Sequence, residues 1–213
     1  MSEPIITIKK EHIIENVIHK SRFIAHIKPV HSEDEAKQFI ADIKQRHKDA
    51  THHCSAYTVG AHMNIQKAND DGEPTGTAGV PMLDILKKLD VHNVCVVVTR
   101  YFGGIKLGGG GLIRAYSGAV RDVIFAVGRV ELRDAIPVIV TVAYDLTGKF
   151  EYELASTSYM LRDTTYLDKV RYHIDVIADD YDAFIAFLNQ HTAGNYTLTT
   201  EKTKKLPFDI STN

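Results

Sequence analysis

Residues 100–114 of this sequence are Arg100-Tyr-Phe-Gly-Gly-Ile-Lys-Leu-Gly-Gly-Gly-Gly-Leu-Ile-Arg114. An apolar run before them, Val94 to Val98, predicts a buried strand, and the residues from Leu112 onward have the apolar spacing of a helix. Six of the nine positions from Gly103 to Gly111 are glycine, each at a cost in backbone entropy. Glycine is tolerated at this density where φ is positive or where another group comes very close, so the stretch indicates a loop with a packing or binding task.

The helix predicted over residues 112–127 has one apolar face and one basic face. Arg114 and Arg121 are seven positions apart, so they lie one above the other opposite the apolar stripe, together with Phe125. Residues 100–133 contain six basic and two acidic residues, although the whole chain has a formal net charge of -2. The positive excess is therefore local to this helix and the loop before it.

Free backbone N–H groups at a helix start, bracketed by basic side chains, favour binding of phosphate or another anion. The spacing fits neither GxxxxGK[ST] nor GxGxxG, so neither a P-loop nor a dinucleotide fingerprint is predicted. A loop whose glycines only let it pack tightly on a neighbouring strand is an open alternative. The candidate residues for phosphate or nucleic-acid binding are Arg100, Gly103, Gly104, Lys106, Gly108, Gly109, Gly110, Arg114 and Arg121.

A second loop, Asp70-Asp-Gly-Glu-Pro-Thr-Gly-Thr-Ala-Gly79, is rich in carboxylates. Two of them could hold Mg²⁺ or act as acid and base, or the loop could be a hydrogen-bonded turn that joins two segments. His52-His-Cys54 has the residue types of a nucleophile with its base, or of half a metal site, but no partner stands at metal-ligand spacing. The candidate secondary cleft residues are His52, His53, Asp71, Glu73, Thr75 and Thr77; no catalytic residue, metal or cofactor is assigned.

Hydrophobic periodicity predicts two domains, residues 1–133 and 136–205, followed by a loose polar tail at 206–213. The second domain has the order strand-helix-strand-strand-helix-strand, which is the split βαβ of ferredoxin-like folds. The fold class is therefore α+β.

Composition argues against a membrane-spanning or secreted protein. The aliphatic runs are too short to cross a bilayer, and the first ten residues lack the apolar core of a signal peptide. The chain has only two cysteines, without redox or metal spacing. We expect a cytoplasmic protein with no membrane contact; composition leaves its oligomeric state open.

Four motifs together resemble the YigZ/IMPACT family over residues 1 to about 205. They are Lys20-Ser-Arg-Phe-Ile24, His52-His-Cys54, the loop of residues 70–79, and Thr99-Arg-Tyr-Phe-Gly-Gly-Ile-Lys-Leu-Gly108. The resemblance implies a first domain like the second domain of small-subunit ribosomal protein five. It also implies a ferredoxin-like second domain similar to the last domain of elongation factor G, in which the same two folds are adjacent.

The resemblance also implies a role in translation. Eukaryotic IMPACT proteins inhibit starvation signalling to translation by competing for a large scaffold protein, and much of that contact belongs to an extra N-terminal domain absent from these 213 residues. We therefore expect a regulator that binds RNA, the ribosome or a translation-regulating protein. The alternatives are a small-molecule phosphotransferase or hydrolase that uses both loops, and a protein-interaction module without nucleic-acid contact. An enzyme predicts that the two loops converge on a cleft.

Overall fold

A computed structural model of the chain describes residues 5–210. The chain divides into two compact units, one extending to Leu132 and resuming at Pro207, the other Arg133–Leu206. The strands are β1 (Ile5–Ile8), β2 (His12–Ile18), β3 (Ser21–Pro29), β4 (His52–Val59), β5 (Ile65–Asn69), β6 (Val94–Tyr101), β7 (Arg129–Val142), β8 (Met160–Tyr166), β9 (Val170–Ile177), β10 (Thr197–Thr200) and β11 (Lys204–Asp209). The helices are α1 (Glu33–Arg46), α2 (Gly79–Lys88), α3 (Gly108–Val127), α4 (Tyr144–Ala155) and α5 (Tyr181–Thr192).

The first unit is built on an antiparallel sheet in the order β2-β3-β6-β4-β5. Strand β6 is central and apolar on both faces, as its valine run predicts. Helices α2 and α3 pack on one face, and α1 packs on the other. The sheet therefore separates two cores.

Helix α1 begins where its sequence predicts. The Ser32 hydroxyl accepts a hydrogen bond from the backbone N–H of Glu35, and the Glu35 carboxylate accepts one from the backbone N–H of His31. Such reciprocal capping satisfies N–H groups that have no partner within the helix.

Helix α3 starts earlier than predicted. It begins at Gly108 rather than Leu112, so four consecutive glycines form its first turn instead of ending a loop. Their low helix propensity argued against this start, but the apolar face of α3 is buried along the sheet and that packing outweighs propensity.

The second unit has the predicted βαββαβ order, formed by β7, α4, β8, β9, α5 and β10. Its strands follow the spatial order β10-β7-β9-β8. Helices α4 and α5 contribute Phe150, Leu154, Phe184 and Leu188 to a core over this sheet. Helix α5 packs within this unit, against α4 and β9.

One expectation about the end of the chain was wrong. Residues 204–209 form strand β11, which pairs with β7, where a loose tail was expected. Strand β7 runs continuously from Arg129 to Val142, and the division between the two units falls within it, between Leu132 and Arg133. Pro137 lies inside β7, where its carbonyl accepts a hydrogen bond from the backbone N–H of Glu201.

Beneath α1, the sheet buries His26 without a hydrogen-bond partner on either ring nitrogen. Its side chain is 3% exposed, and its ring centroid lies 5.0 Å from that of His47. Burial, with the His47 charge as a smaller cause, lowers the pKa of His26 to about 4. Protonation of His26 therefore opposes folding.

We predict that acid destabilises the protein through His26. The folded state resists protonation down to a pKa of about 4, whereas an unfolded histidine binds a proton near pH 6.5. Stability is thus fully present above pH 6.5 and falls by up to about 3 kcal/mol as the pH drops to about 4. Urea unfolding across this range measures the fall. It should be much smaller in His26→Phe and unchanged in a variant at exposed His31, His31→Gln; a full slope in His26→Phe would contradict the assignment.

Candidate functional site

The two loops selected from the sequence meet in the first unit, at a cleft of about 430 Å³. Four of its lining residues were candidates from the glycine-rich stretch and two were candidates from the other motifs. The lining residues are Thr51, His52, Glu73, Pro74, Arg100, Phe102, Lys106, Leu107, Gly108, Gly109 and Leu112.

A buried ion pair between Glu73 and Arg100 lies in the wall of this cleft. Arg100 Nη1 is 2.6 Å from Glu73 Oε1, and the same oxygen accepts a hydrogen bond from Tyr116 at 2.7 Å. Only 5% of Arg100 is exposed, and its guanidinium lies 5.3 and 5.4 Å from the ring centroids of Phe23 and Phe102. Arg100 Nε has no hydrogen-bond partner.

Strand register brings this group together. Phe23 on β3, Arg100 on β6 and His52 on β4 are direct cross-strand neighbours, so their side chains share one face of the sheet. Helix α3 covers that face and places the Tyr116 ring edge-on to Phe23 at 5.3 Å. Burial is the main cause that raises the pKa of Tyr116, which therefore remains a hydrogen-bond donor to Glu73.

Asp70 holds the acidic loop in shape. Its carboxylate accepts hydrogen bonds from the backbone N–H groups of Gly76, Ala78 and Gly79, at 2.7 to 3.1 Å. Burial opposes its ionisation, but these three donors outweigh that effect and keep the pKa of Asp70 below its ordinary value. The carboxylate thereby caps α2, whose own N-cap residue offers no side-chain acceptor.

The two adjacent histidines do not share a site. His52 lines the cleft, donates from Nδ1 to the Asp71 carbonyl at 2.8 Å, and places Nε2 3.8 Å from Glu73 Oε2. His53 is on the opposite face of β4, where its Nε2 donates to the His47 carbonyl at 3.0 Å. Successive strand residues point to opposite faces, which explains the separation.

Asp71 faces away from the cleft lining and is fully engaged elsewhere. Its oxygens accept from Lys44 Nζ at 2.6 Å and from the backbone N–H of His53 at 2.7 Å. Burial opposes ionisation, but both donors outweigh it and hold the pKa of Asp71 below its usual value. Asp71 and Glu73 therefore do not form an acid–base pair on a common substrate.

Neither threonine candidate lines the cleft. Thr75 is exposed, and Thr77 donates its hydroxyl hydrogen to the Pro74 carbonyl at 2.6 Å. These contacts fit the alternative of a hydrogen-bonded turn for this part of the loop.

Cys54 is not a nucleophile in this fold. Its thiol is buried in the core shared with α2 and α3, and it donates to the Asp70 carbonyl. Burial raises the pKa of Cys54 to about 12, so the reactive thiolate is absent near neutral pH.

The start of α3 forms the other side of the cleft. Gly108 and Gly109 line it, Lys106 precedes them, and no side chain caps this end of the helix. The first N–H groups of a helix have no partner within it and carry partial positive charge. This end of the cleft is therefore suited to an anion.

The remaining candidates lie outside the cleft lining. Arg114 and Arg121 are exposed on the outer face of α3 with Phe125, which is 61% exposed. Gly103 packs against the backbone at Lys20, where any side chain would collide, so tight packing explains this glycine. Gly104 is exposed and has positive φ.

Several residues around the cleft were not candidates in the sequence. Tyr116 lies in the apolar stripe of α3. Its hydroxyl could have identified it, because a buried tyrosine hydroxyl requires a hydrogen-bond partner. Asp70 precedes glycine-rich turns and a helix start, which is a capping signal. The apolar lining residues Phe102, Leu107 and Leu112 were not candidates, although the first two lie in the family motif of residues 99–108.

Within residues 5–210, no cluster of three or more His, Cys, Asp or Glu side chains could hold a metal ion. None of the helices in that range is long and apolar enough to cross a membrane.

Comparisons with known proteins agree with the motifs. The Impact N-terminal domain matches residues 19–124, and a domain of unknown function, DUF1949, matches residues 140–195. IMPACT family member YvyE of Bacillus subtilis is 48% identical over 189 residues, which cover 88% of this chain and 87% of YvyE. YigZ of Escherichia coli is 45% identical over 109 residues, which are 50% of this chain and 53% of YigZ.

More distant relatives are less identical to this chain. Rat protein IMPACT is 38% identical over 94 residues, which are 42% of this chain and 29% of that protein. A crystal structure of a hypothetical protein is 29% identical with a TM-score of 0.60, covering 95% of this chain and 99% of the other. This chain belongs to the IMPACT family.

We predict that the Glu73–Arg100 pair is essential to the first unit. Arg100→Leu leaves a buried carboxylate unpaired and should lower the free energy of unfolding by about 3–5 kcal/mol, measured by urea denaturation. Arg100→Leu combined with Glu73→Gln removes both charges but keeps an acceptor for Tyr116, so it should recover part of that loss. The matched control is Arg22→Leu, which breaks the exposed pair with Glu15 and should have a much smaller effect. Equal losses in the two arginine variants would contradict this prediction.

Proposed function

We propose that this protein regulates translation by binding RNA or a ribosome-associated partner through the outer face of α3. The observation that carries the proposal is the exposure, on one helix face, of two arginines and an aromatic ring: Arg114, Arg121 and Phe125. Basic side chains neutralise phosphates, and an exposed ring offers a stacking surface for an unpaired base.

The geometry of α3 places these groups in one line. At 100° per residue, Arg114, Arg121 and Phe125 differ by at most 40° around the helix axis, so a single strand lying along the helix would meet all three. Lys106 is exposed just before the helix and adds a positive charge near its start. The arginines would contact the phosphates of an RNA strand, and Phe125 would stack on one of its bases.

Existing contacts do not block the arginines. Arg121 Nη2 is 3.2 Å from Asp122 Oδ1, but that pair is exposed, and exposed pairs are weak enough to exchange for a phosphate. Arg100, in contrast, is buried and bound to Glu73, so it contributes to the cleft and not to this surface.

Family membership gives the proposal its biological context. We infer that the two units have the folds implied by the family resemblance: the second domain of ribosomal protein five and the last domain of elongation factor G. One reference protein is a component of the ribosome and the other is an elongation factor, which favours RNA or a ribosomal partner over an unrelated ligand. A partner protein in translation control is the second form of the same proposal.

Salt dependence tests RNA binding directly. Arg114, Arg121 and Lys106 neutralise about three phosphates, each contributing about 0.7 on single strands, so log affinity against log salt should have a slope near -2. Fluorescence anisotropy with a 5′-hydroxyl single-stranded RNA measures it. Arg114→Ala/Arg121→Ala should reduce the magnitude of the slope by about 1.4.

Phe125→Ala separates stacking from charge. It should weaken binding by about 1–3 kcal/mol without changing the salt slope. Arg171→Ala, at an exposed position in the second unit, is the control and should change neither quantity. A flat salt response, or no binding at low salt, would reject RNA binding and favour the protein-interaction module.

A further inference from the structure

Four of the six glycines in residues 103–111 are required by the fold itself. Two of these have no room for a Cβ and two have positive φ: Gly103 and Gly111 in the first group, Gly104 and Gly108 in the second. These four need no ligand to explain them.

Gly109 and Gly110 have no such requirement. A Cβ on Gly109 would have as its nearest neighbour Thr77 Cγ2 at 3.9 Å, and a Cβ on Gly110 would have Arg114 Nη1 at 3.6 Å, both ordinary contact distances. Both residues are helical, where alanine is more stable than glycine. The free protein would thus be more stable with alanine, which indicates that the open space serves something else.

That open space belongs to the cleft. Gly109 lines it, and its N–H is in the uncapped first turn of α3. Lys106 and the buried Arg100, whose Nε has no hydrogen-bond partner, also line the cleft. We propose that the cleft binds a nucleotide through its 5′-phosphate, seated on the glycine N–H groups beside Lys106.

The charges around the cleft favour such an anion. Glu73 is the carboxylate in its lining, and it is already bound by Arg100 and Tyr116. This leaves the charge of Lys106 and the positive end of α3 uncompensated. A phosphate at a helix start accepts several backbone hydrogen bonds at once.

The rest of the lining suits the base and sugar. Phe102 is 47% exposed, and Pro74, Leu107 and Leu112 add apolar surface. A base stacks on an aromatic ring without requiring one particular sequence. The volume of about 430 Å³ is within the range of small-molecule sites.

The nucleotide has two possible sources: a free mononucleotide, or the 5′-terminal nucleotide of an RNA strand. The second source deepens the proposed RNA binding and rests on it, whereas the first does not. The cleft and the outer face of α3 use different residues except Lys106, so separate variants test them.

Isothermal titration calorimetry of the full chain with AMP tests the site. Lys106→Ala should weaken AMP binding at least about tenfold, the equivalent of one lost hydrogen bond to a charged group. Gly109→Ala keeps the backbone N–H but fills the open space with a methyl group, and it should also weaken AMP binding at least about tenfold. The controls are Gly118→Ala, a glycine of the same helix with open space around it, and Lys48→Ala at an exposed position; both should bind AMP normally. Gly109→Ala and Gly118→Ala should both raise Tm, so that loss of binding in Gly109→Ala cannot be attributed to unfolding.

Adenosine and RNA complete the test. Adenosine should bind at least about tenfold more weakly than AMP, because it lacks the phosphate that contacts the charged donors. No AMP binding in the millimolar range, equal binding of adenosine, or normal AMP binding by Gly109→Ala would each overturn the inference.

A 5′-phosphorylated RNA that binds more tightly than its 5′-hydroxyl form, with the difference lost in Gly109→Ala, assigns the nucleotide to an RNA end. Equal binding of the two RNAs while AMP binds assigns the cleft to free nucleotides. AMP binding with no RNA binding would support the nucleotide site in the cleft and reject the proposed RNA binding. RNA binding with no AMP binding would reject only the nucleotide site.

Discussion

The buried pair between Glu73 and Arg100 joins a loop to the central strand of the first unit. Glu73 comes from the loop before α2, and Arg100 comes from the end of the central strand β6. Tyr116 on α3 binds the same carboxylate oxygen, and Phe23 on β3 packs against the guanidinium. Because a buried charge needs its partner in place, a loop, two strands and a helix must be correctly positioned together.

This constraint divides the basic residues into two groups. Arg100 is fixed by an internal carboxylate and shapes the cleft, whereas Arg114 and Arg121 are on the exposed face of α3. The sequence places all three within one basic segment, and their roles separate only through burial. Lys106 is exposed and lines the cleft, so it is the basic candidate common to both surfaces.

Strong local patterns made most elements predictable. The valines of β6, the cap at Ser32 and the apolar stripe of α3 each match the structure. Strand β11 was missed because its residues are mostly exposed and polar, as suits an edge strand, and the glycine start of α3 was missed because propensity opposed it.

The geometry of the site was harder to predict from the sequence because it depends on the direction in which each side chain points. Asp71 and Glu73 are two positions apart, yet Asp71 has positive φ and its carboxylate turns towards Lys44. No spacing rule foretells that turn. The burial of Arg100 depends on a partner 27 residues earlier and on the register of three strands, so it required the fold.

The reactivity of the two free cysteines reports how often the helices of the first unit move away from the sheet. Cys54 belongs to the core under α2 and α3, and Cys95 to the core under α1, on the other face of the same sheet. Burial raises the pKa of each thiol to about 12, so both are nearly inert to alkylating reagents while their covering helices stay in place. The rate at which each thiol is labelled therefore measures how often its own side of the sheet is uncovered, and equal rates would mean that both layers open as one cooperative unit.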